Sequence, residues 1–204
     1  AFLPLVERMG GKTEARLVRH GFYPAGGGKA EFRVTPLERP ARLELMDRGD
    51  ALDHRVTAVV ANLPLHIAER ETKVVLHKLG WPRECAEARE VSAAGPGNAV
   101  MTELRFASVT EVFTGFGEKG TPAEKVAAAV AKEAKGFLSS EAAVGEHLAD
   151  QLLLPLALAG GGAFLCAAPS SHATTNAEVI RTFLDTAITM VEEPGGLWRV
   201  EVGR

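Results

Sequence analysis

The chain has 204 residues, 46% of them apolar and 24% charged, with a formal net charge of −3. This composition supplies enough apolar material for one or two compact domains and argues against fibrous and disordered proteins. Residues 1–48 carry nine Lys or Arg against six Asp or Glu, whereas the remainder carries 14 against 20. An anionic ligand near the N-terminal segment is compatible with this imbalance, but a mixed solvated surface explains it more simply, and charge alone gives no argument for nucleic-acid binding.

In chain order, the first elements are rich in strands. Residues 1–11 resemble the end of an amphipathic helix stopped by two glycines, and we expect a segment to precede them. Strand-like alternation then occupies 13–19, 29–35 and 42–46. Between the first two strands, Gly26 to Gly28 can gather backbone N–H groups around a phosphate, but neither a Lys-Ser/Thr pair nor a helix follows, so a tight turn is favoured.

From about Gly49 the pattern becomes mixed. It predicts a strand over 55–61, a helix over 67–79 that ends at Gly80, and strands over 87–93, 99–107 and 109–114. A second helix follows. Thr121 can cap it, Pro122 suits its first position, and Glu124 completes a capping box.

From about residue 142 the chain returns to the type of its first part. We expect a helix over 144–159, a strand over 163–168, a helix near 176–184, and strands near 186–192 and 197–202. The sequence AGGG precedes a strand at both 25–28 and 159–162, which is a weak sign of an internal repeat. The alternation of both periods predicts an α/β (α+β) fold.

Leu152 to Ser171 contains no charged residue, yet Pro155, three glycines and Pro169 interrupt it, so a buried helix, a glycine turn and a buried strand are predicted rather than a membrane span. The two cysteines, Cys85 and Cys166, have no metal-ligand spacing around them. They argue against a zinc site and favour a reducing, cytoplasmic setting.

His172 stands among four hydroxyl side chains in PSSHATTN, residues 169–176, just beyond the buried strand. An imidazole there can act as a base, a metal ligand or a nucleophile, while a hydrogen-bonded surface histidine is an equally good interpretation. On the preceding helix, His147 and Asp150 are three residues apart and share a face, and we expect Leu153, Leu154 and Leu158 to pack elsewhere. Asp150 is also compatible with an ordinary acid near a helix start.

Three blocks together resemble the RNA 3′-terminal phosphate cyclase family in order and spacing, and the resemblance extends over essentially the whole chain. They are RHGFYPAGGG at 19–28, AAVGEHLADQLLLPLALAGGG at 142–162, and PSSHATTN at 169–176. The resemblance implies a large domain of repeated β-α-β-α-β-β units, here incomplete, interrupted by a smaller β/α insert domain. Residues 1–48 would be the first part of the large domain, 49–141 the insert, and 142–204 the C-terminal repeat.

The same resemblance implies a ligase-class activity: ATP-dependent conversion of RNA 3′-phosphate ends to 2′,3′-cyclic phosphates through a covalent histidine-AMP intermediate. His172 matches the nucleophile, Asp150 the acidic residue at the nucleotide site, and His147 the aromatic position that stacks on adenine. Gln151 is a nearby polar candidate. A divalent metal, Mg or Mn, is expected, with its ligands unidentified.

The sequence also departs from the family. Roughly the first third of family members, a glycine-rich segment with glutamate, arginine and glutamine side chains that bind metal, nucleotide phosphates and the RNA end, has no counterpart here. We therefore expect half of an active site, completed by a missing N-terminal segment of the same protein.

Two other functions stay open. A catalytically inactive, cyclase-like ribosome-assembly factor is one, although such relatives lack the nucleophilic histidine. An enolpyruvyl transferase would share the repeated architecture but would not be expected to carry the SSHATTN block.

Overall fold

The structure is a computed structural model that describes residues 1–37 and 40–203. Its helices are α1 (Phe2–Arg8), α2 (His66–Leu79), α3 (Ala123–Leu138), α4 (Glu146–Leu158) and α5 (Ser171–Phe183). Its strands are β1 (Lys12–Arg19), β2 (Lys29–Thr35), β3 (Leu43–Leu45), β4 (Ala51–Ala61), β5 (Ala86–Glu90), β6 (Gly97–Phe106), β7 (Thr110–Phe116), β8 (Gly162–Cys166), β9 (Ala187–Glu192) and β10 (Trp198–Gly203).

The C-terminal part forms a four-stranded sheet in the order β3-β8-β10-β9. Strand β3 runs parallel to β8, and the other neighbours are antiparallel. Helices α4 and α5 pack against each other and against this sheet, and they bury Leu152, Leu156 and Ile180 together with Phe164 of β8. Along the chain these elements follow the order β-α-β-α-β-β, with residues 46–145 between β3 and α4. The predicted α/β fold is therefore confirmed.

A second four-stranded sheet, in the order β5-β4-β6-β7, is built entirely from residues between β3 and α4. Helices α2 and α3 cover one of its faces and bury Val56, Val60, Val100 and Leu104 of that sheet. The predicted strands and helices of this segment are present within a few residues of their expected ends.

The capping box expected at the start of α3 is wrong. Pro122 is the N-cap residue, the helix begins at Ala123, and no side chain caps it. Glu124 instead accepts hydrogen bonds from Nε and Nη2 of Arg70 on α2, both at 2.7 Å. This bidentate, charge-assisted pair joins α2 and α3 and engages both oxygens of the carboxylate that the capping box would have required.

The first part of the chain forms α1 and a separate antiparallel ribbon of β1 and β2. The loop between them closes as the predicted tight turn: the backbone N–H of Gly26 donates to the carbonyl of Phe22 at 2.7 Å, and Gly26 and Gly27 have φ values of +65° and +74°. Such φ values favour glycine because it has no Cβ. The order helix-strand-strand repeats the last three elements of the C-terminal unit.

The charge-free stretch from Leu152 to Ser171 divides into the end of α4, a turn and β8, as predicted. Across the described ranges, no helix is both long and apolar enough to cross a bilayer. The domain boundaries 1–48, 49–141 and 142–204 stay a prediction. Residues 38, 39 and 204, which fall within the predicted large domain, lie outside the described residues.

Candidate active site

The N-terminal ends of α4 and α5 meet at the carboxyl end of β8. Val144 forms a parallel bridge with Cys166, the last residue of β8, so α4 begins beside that end of the strand. Helix α5 begins at Ser171, five residues after β8 ends. Both helices therefore run away from the same edge of the sheet. In open α/β sheets, ligands bind at the carboxyl ends of strands, and helix N-termini favour anions.

His172 lies in the first turn of α5 and is exposed. The helix starts five residues earlier than the sequence predicted, because Ser170 caps it: its Oγ accepts from the backbone N–H of Ala173 at 3.3 Å. The hydroxyl of Thr174 donates to the backbone carbonyls of Ser170 and Ser171. Two of the neighbouring hydroxyls thus stabilise the start of the helix that carries the imidazole.

Asp150 is half-buried in the second turn of α4 and is tied to α5. The side-chain amide of Asn176 donates to Oδ1 of Asp150 at 2.9 Å and to its backbone carbonyl at 3.2 Å. Sequence reasoning missed Asn176. The sequence could have identified it from its four-residue spacing from His172, which puts both side chains on one face of α5.

The position of this hydrogen-bonded pair indicates where the two histidines lie along α4 and α5. His172 lies four residues before Asn176, and His147 lies three residues before Asp150. Each is therefore about one helical turn, or roughly 5–6 Å, nearer the helix N-termini. Both histidines are exposed at the end where the two helix dipoles direct their positive poles.

An open groove of about 530 Å³ runs from Asp150 along the outer side of α4. Asp150, Gln151 and Asn176 form its polar end, whereas His147 and His172 are not part of its lining. Apart from Thr13, the rest of its lining is apolar and comes from α1, α4 and the segments around β1 and β2. The apolar side chains are Phe2, Leu3, Val6, Met9, Leu37, Pro40, Leu154, Pro155 and Leu158. The volume matches that of a small-molecule site.

Two of these leucines correct the sequence interpretation. We expected Leu154 and Leu158 to pack away from the face of His147, yet they are 46% and 62% exposed. Their spacing of seven and eleven residues from His147 places them on its own face of α4. The outer face of this helix therefore changes from polar at its start to apolar at its end.

A carboxyl group from the other sheet reaches the start of α4. Oε1 of Glu111, on β7, accepts from the backbone N–H of Gly145, the N-cap residue of α4, at 2.6 Å. Burial raises the pKa of Glu111 to about 7, against smaller lowering effects of that N–H and of the α-amino group of Ala1. Sequence reasoning missed Glu111, whose signal is its position between Val109 and Phe113 on the buried face of the sheet.

Cys166, at the end of β8, is the other potential nucleophile near this edge. It is 2% exposed, and burial raises the pKa of its thiol to about 12. Because the thiolate is the reactive form, this cysteine is inert at neutral pH. The imidazole of His172, by contrast, is exposed.

No metal centre is formed by residues 1–37 and 40–203, because they bring no three His, Cys, Asp or Glu side chains together in an arrangement that could hold an ion. Asp150 has one of its oxygens engaged by Asn176. The described part of the chain therefore does not by itself fit the divalent ion that the family resemblance implies.

Comparisons with known proteins agree with the sequence resemblance. A family model described as RNA 3′-terminal phosphate cyclase matches residues 1–190. Curated proteins named RNA 3′-terminal phosphate cyclase are similar over nearly the whole chain. The protein of Koribacter versatilis (strain Ellin345) is 47% identical over 193 residues, which are 94% of this chain and 54% of the relative.

Two further relatives carry the same name. The protein of Ectopseudomonas mendocina (strain ymp) is 44% identical over 204 residues, 99% of this chain and 59% of its own. That of Salmonella typhimurium (strain LT2) is 45% identical over 198 residues, 97% of this chain and 58% of its own. The chain thus spans less than two thirds of the length of these relatives.

Proposed function

The chain belongs to the RNA 3′-terminal phosphate cyclase family, and from that premise we propose that it contributes the nucleophilic half of an ATP-dependent enzyme that converts RNA 3′-phosphate ends to 2′,3′-cyclic phosphates. The observation that carries the proposal is the meeting of two helix N-termini at the end of β8, with an exposed His172 on one and Asp150 on the other. ATP is consumed in this reaction and is therefore a substrate.

In the first step, a neutral ring nitrogen of His172 attacks the α-phosphorus of ATP. The bond from that phosphorus to the bridging oxygen breaks, pyrophosphate leaves, and the new P–N bond holds AMP on the imidazole, whose other N–H proton passes to solvent. The positive ends of α4 and α5 favour the anionic phosphates at this position. A phosphoramidate keeps AMP activated, because imidazole is a good leaving group once it is protonated again.

In the second step, an oxygen of the RNA 3′-phosphate attacks the phosphorus of AMP. The P–N bond breaks, and His172 returns to its free form. In the third step, the vicinal 2′-hydroxyl attacks the activated 3′-phosphorus, loses its proton and expels AMP, which closes the ring. The His172 nitrogen is thus the only covalent carrier on the protein.

The groove beside α4 supports a role for its polar end in nucleotide binding. We infer that Asp150 contacts the nucleotide through the carboxylate oxygen that Asn176 leaves free, and that the hydrogen bond from Asn176 holds its rotamer. Gln151 supplies a second polar contact at the same end. His147, one turn away, offers a ring face on which adenine can stack.

The divalent ion, Mg or Mn, that the family implies does not find its ligands among the described residues, so no step above depends on one. We propose that a further segment of the same protein, equivalent to the first third of family members, supplies the metal ligands together with groups for the phosphates and the RNA end. Free Cys85 and Cys166 agree with a cytoplasmic enzyme.

The second candidate is a cyclase-like protein that acts in ribosome assembly without catalysis. The exposed imidazole at the start of α5 argues against it, since the inactive relatives lack that histidine. The two functions differ in a single early event, which is the transfer of AMP to the protein.

The experiment therefore tests whether AMP is transferred to the protein. The full-length protein is incubated with α-labelled ATP and Mg²⁺ or Mn²⁺, and protein-bound label is measured after acid and after alkali. We expect label that is lost in acid and kept in alkali, abolished in His172→Ala and retained in His77→Ala, an exposed histidine on α2. Label that persists in His172→Ala would remove the nucleophile from this site, and an unlabelled parent protein would favour the assembly factor.

A further inference from the structure

A second open cavity, of about 610 Å³, lies at the far end of the β1–β2 ribbon. One wall comes from the ribbon, with Arg19, His20 and Lys29, and the other from the end of β5, with Arg89 and Glu90. It is separate from the groove beside α4. Strand β1 connects the two, because Thr13 lines the groove and Arg19 lines this cavity. Six residues of strand span about 20 Å.

The cavity brings together cations from two sheets. Arg19, Lys29 and Arg89 face it, together with a single acid, Glu90. The guanidinium of Arg19 is oriented by a hydrogen bond from its Nε to the carbonyl of Gly27 at 2.6 Å, which leaves its other N–H groups available. An oriented guanidinium beside a flexible ammonium group is the combination that recognises phosphate.

The acids that neighbour these cations are weak competitors. Lys29 pairs with Glu31 at 2.8 Å and Arg89 with Glu87 at 3.3 Å, each two residues away on the same strand. All four side chains are at least half exposed. Exposed ion pairs of this kind contribute little to stability, so a phosphate can replace the carboxylate without loss of folding.

The two walls are also held in place. The ring of Phe22, in the ribbon loop, lies against Gly97 at the start of β6, where a Cβ on that glycine would overlap the ring. Ala25 packs against Gly95 and Gly27 against Ala94 in the same way. The cavity is therefore a fixed feature between the ribbon and the second sheet, rather than a chance approach of two mobile surfaces.

We propose that this basic cavity binds the phosphodiester backbone of the RNA substrate upstream of the end that reacts at His172. The assignment rests on the proposed function. At about 3.4 Å per stacked nucleotide, the roughly 20 Å of β1 between the groove and the cavity corresponds to about six nucleotides. Such contacts are made to phosphates, so they hold the RNA in register without reading its sequence.

The test uses the full-length protein and the variant Lys29→Ala/Arg89→Ala. Its matched control is Lys132→Ala/Arg83→Ala, which removes the same charge from exposed positions on α3 and at the opposite end of β5. For an RNA of about ten nucleotides with a 3′-phosphate, we expect KM to rise about tenfold in the cavity variant, with kcat unchanged and the salt dependence of binding weaker by about two ions.

A dinucleotide with a 3′-phosphate is too short to span the distance, so its KM should not change. Self-adenylylation with ATP alone should also match that of the parent, which separates this proposal from the function of His172. If the parent itself is not adenylylated, fluorescence anisotropy with the ten-nucleotide RNA still measures the cavity. An unchanged affinity for the long RNA, or an equal loss for the dinucleotide, would overturn the proposal.

Discussion

Two hairpins of this molecule each follow a helix in the chain, but one has a buried apolar face and the other is exposed. The hairpin β9–β10 follows α5, and the ribbon β1–β2 follows α1. Strand β10 also pairs with β8, and helices cover the sheet, so Ile188, Val200 and Val202 are buried. Within residues 1–37 and 40–203, strand β2 pairs only with β1, and the residues of the ribbon are not buried.

The ribbon nevertheless has two different faces. Cross-strand pairs place Leu17, Phe32 and Val34 on one side, with exposures of 59%, 70% and 68%. The pairs Glu14–Arg33 and Arg16–Glu31 lie on the other side. The contrast teaches that alternation determines where a strand forms, whereas neighbouring elements determine whether its apolar face is buried. A two-stranded ribbon is marginal alone and depends on contacts at its ends.

The largest expected difference between the two regions is in how much replacing a phenylalanine by alanine lowers the free energy of unfolding. Phe164→Ala in β8, at a side chain 1% exposed, should lower the free energy of unfolding by about 3–5 kcal/mol. Phe32→Ala in β2 should change it by less than about 0.5 kcal/mol, because its ring is already in solvent. Urea unfolding of both variants checks this, and equal losses would show that the ribbon face is covered in solution.

The second difference concerns how each region meets the sheet β5-β4-β6-β7. The C-terminal unit contacts this sheet at the N-terminus of α4, where Gly145 donates to the buried carboxyl of Glu111 on β7. The pKa of Glu111 is raised to about 7. Because the folded protein holds this proton up to a higher pH than the unfolded chain, the stability that Glu111 contributes is full below about pH 4.5 and falls between about pH 4.5 and 7. Above the folded-state pKa it changes no further.

Glu111→Gln should remove that loss. Between pH 5 and pH 8, the free energy of unfolding of the variant should gain about 2–3 kcal/mol relative to the parent. Denaturation at the two pH values measures it. Parallel pH profiles for parent and variant would mean that Glu111 has an ordinary pKa in the folded protein.

The ribbon meets the same sheet through its loop, so the third prediction addresses that contact. Gly97→Ala should overlap the ring of Phe22 and destabilise the protein by about 1–3 kcal/mol. Adding Phe22→Ala should recover most of the loss. Gly136→Ala is the control, because its Cβ would meet no atom within 4 Å and sits in α3, where alanine is the better helix former.

Hydrogen exchange gives a second reading of that contact. In Gly97→Ala the amides of β1 and β2 should exchange faster, while those of β8 and β10 should stay protected. Uniform acceleration in both regions would contradict a local anchor at the ribbon loop.

The smallest expected effect is at the helix that precedes the buried hairpin. Ser170→Ala removes the cap of α5 and should cost about 1 kcal/mol. Ser171→Ala, one residue later and outside that cap, should cost less than about 0.5 kcal/mol. Thermal unfolding separates the two, and the same comparison of self-adenylylation shows whether fraying of this turn displaces His172.

Sequence patterns predicted the elements better than their ends. The alternation of side chains was sufficient to predict β1 and β2, and the helical spacing of apolar residues was sufficient to predict α2. Both patterns depend only on residues near one another in the chain. The start of α3 was wrong because Glu124 has a partner on another helix. The start of α5 was placed five residues late, although Ser170 is a good N-cap residue that the sequence itself offers.

The candidate site was also predictable only in part, because motifs report local residues and not contacts between distant ones. His172 and Asp150 stood out from motif resemblance, and the structure adds the bond from Asp150 to Asn176 that links their helices. The exposure of Leu154 and Leu158, and the reach of Glu111 to Gly145, depend on which elements pack together. Those contacts join residues far apart in the chain, so no local pattern reports them.

The most direct measurement is to locate the transferred AMP. The full-length protein is incubated with ATP and a divalent ion, digested under alkaline conditions, and its peptides are sequenced by tandem mass spectrometry. The predicted result is one AMP on the peptide that contains His172, attached to the imidazole. AMP on a lysine, on His147 or on any other residue would contradict the assignment of His172 as nucleophile.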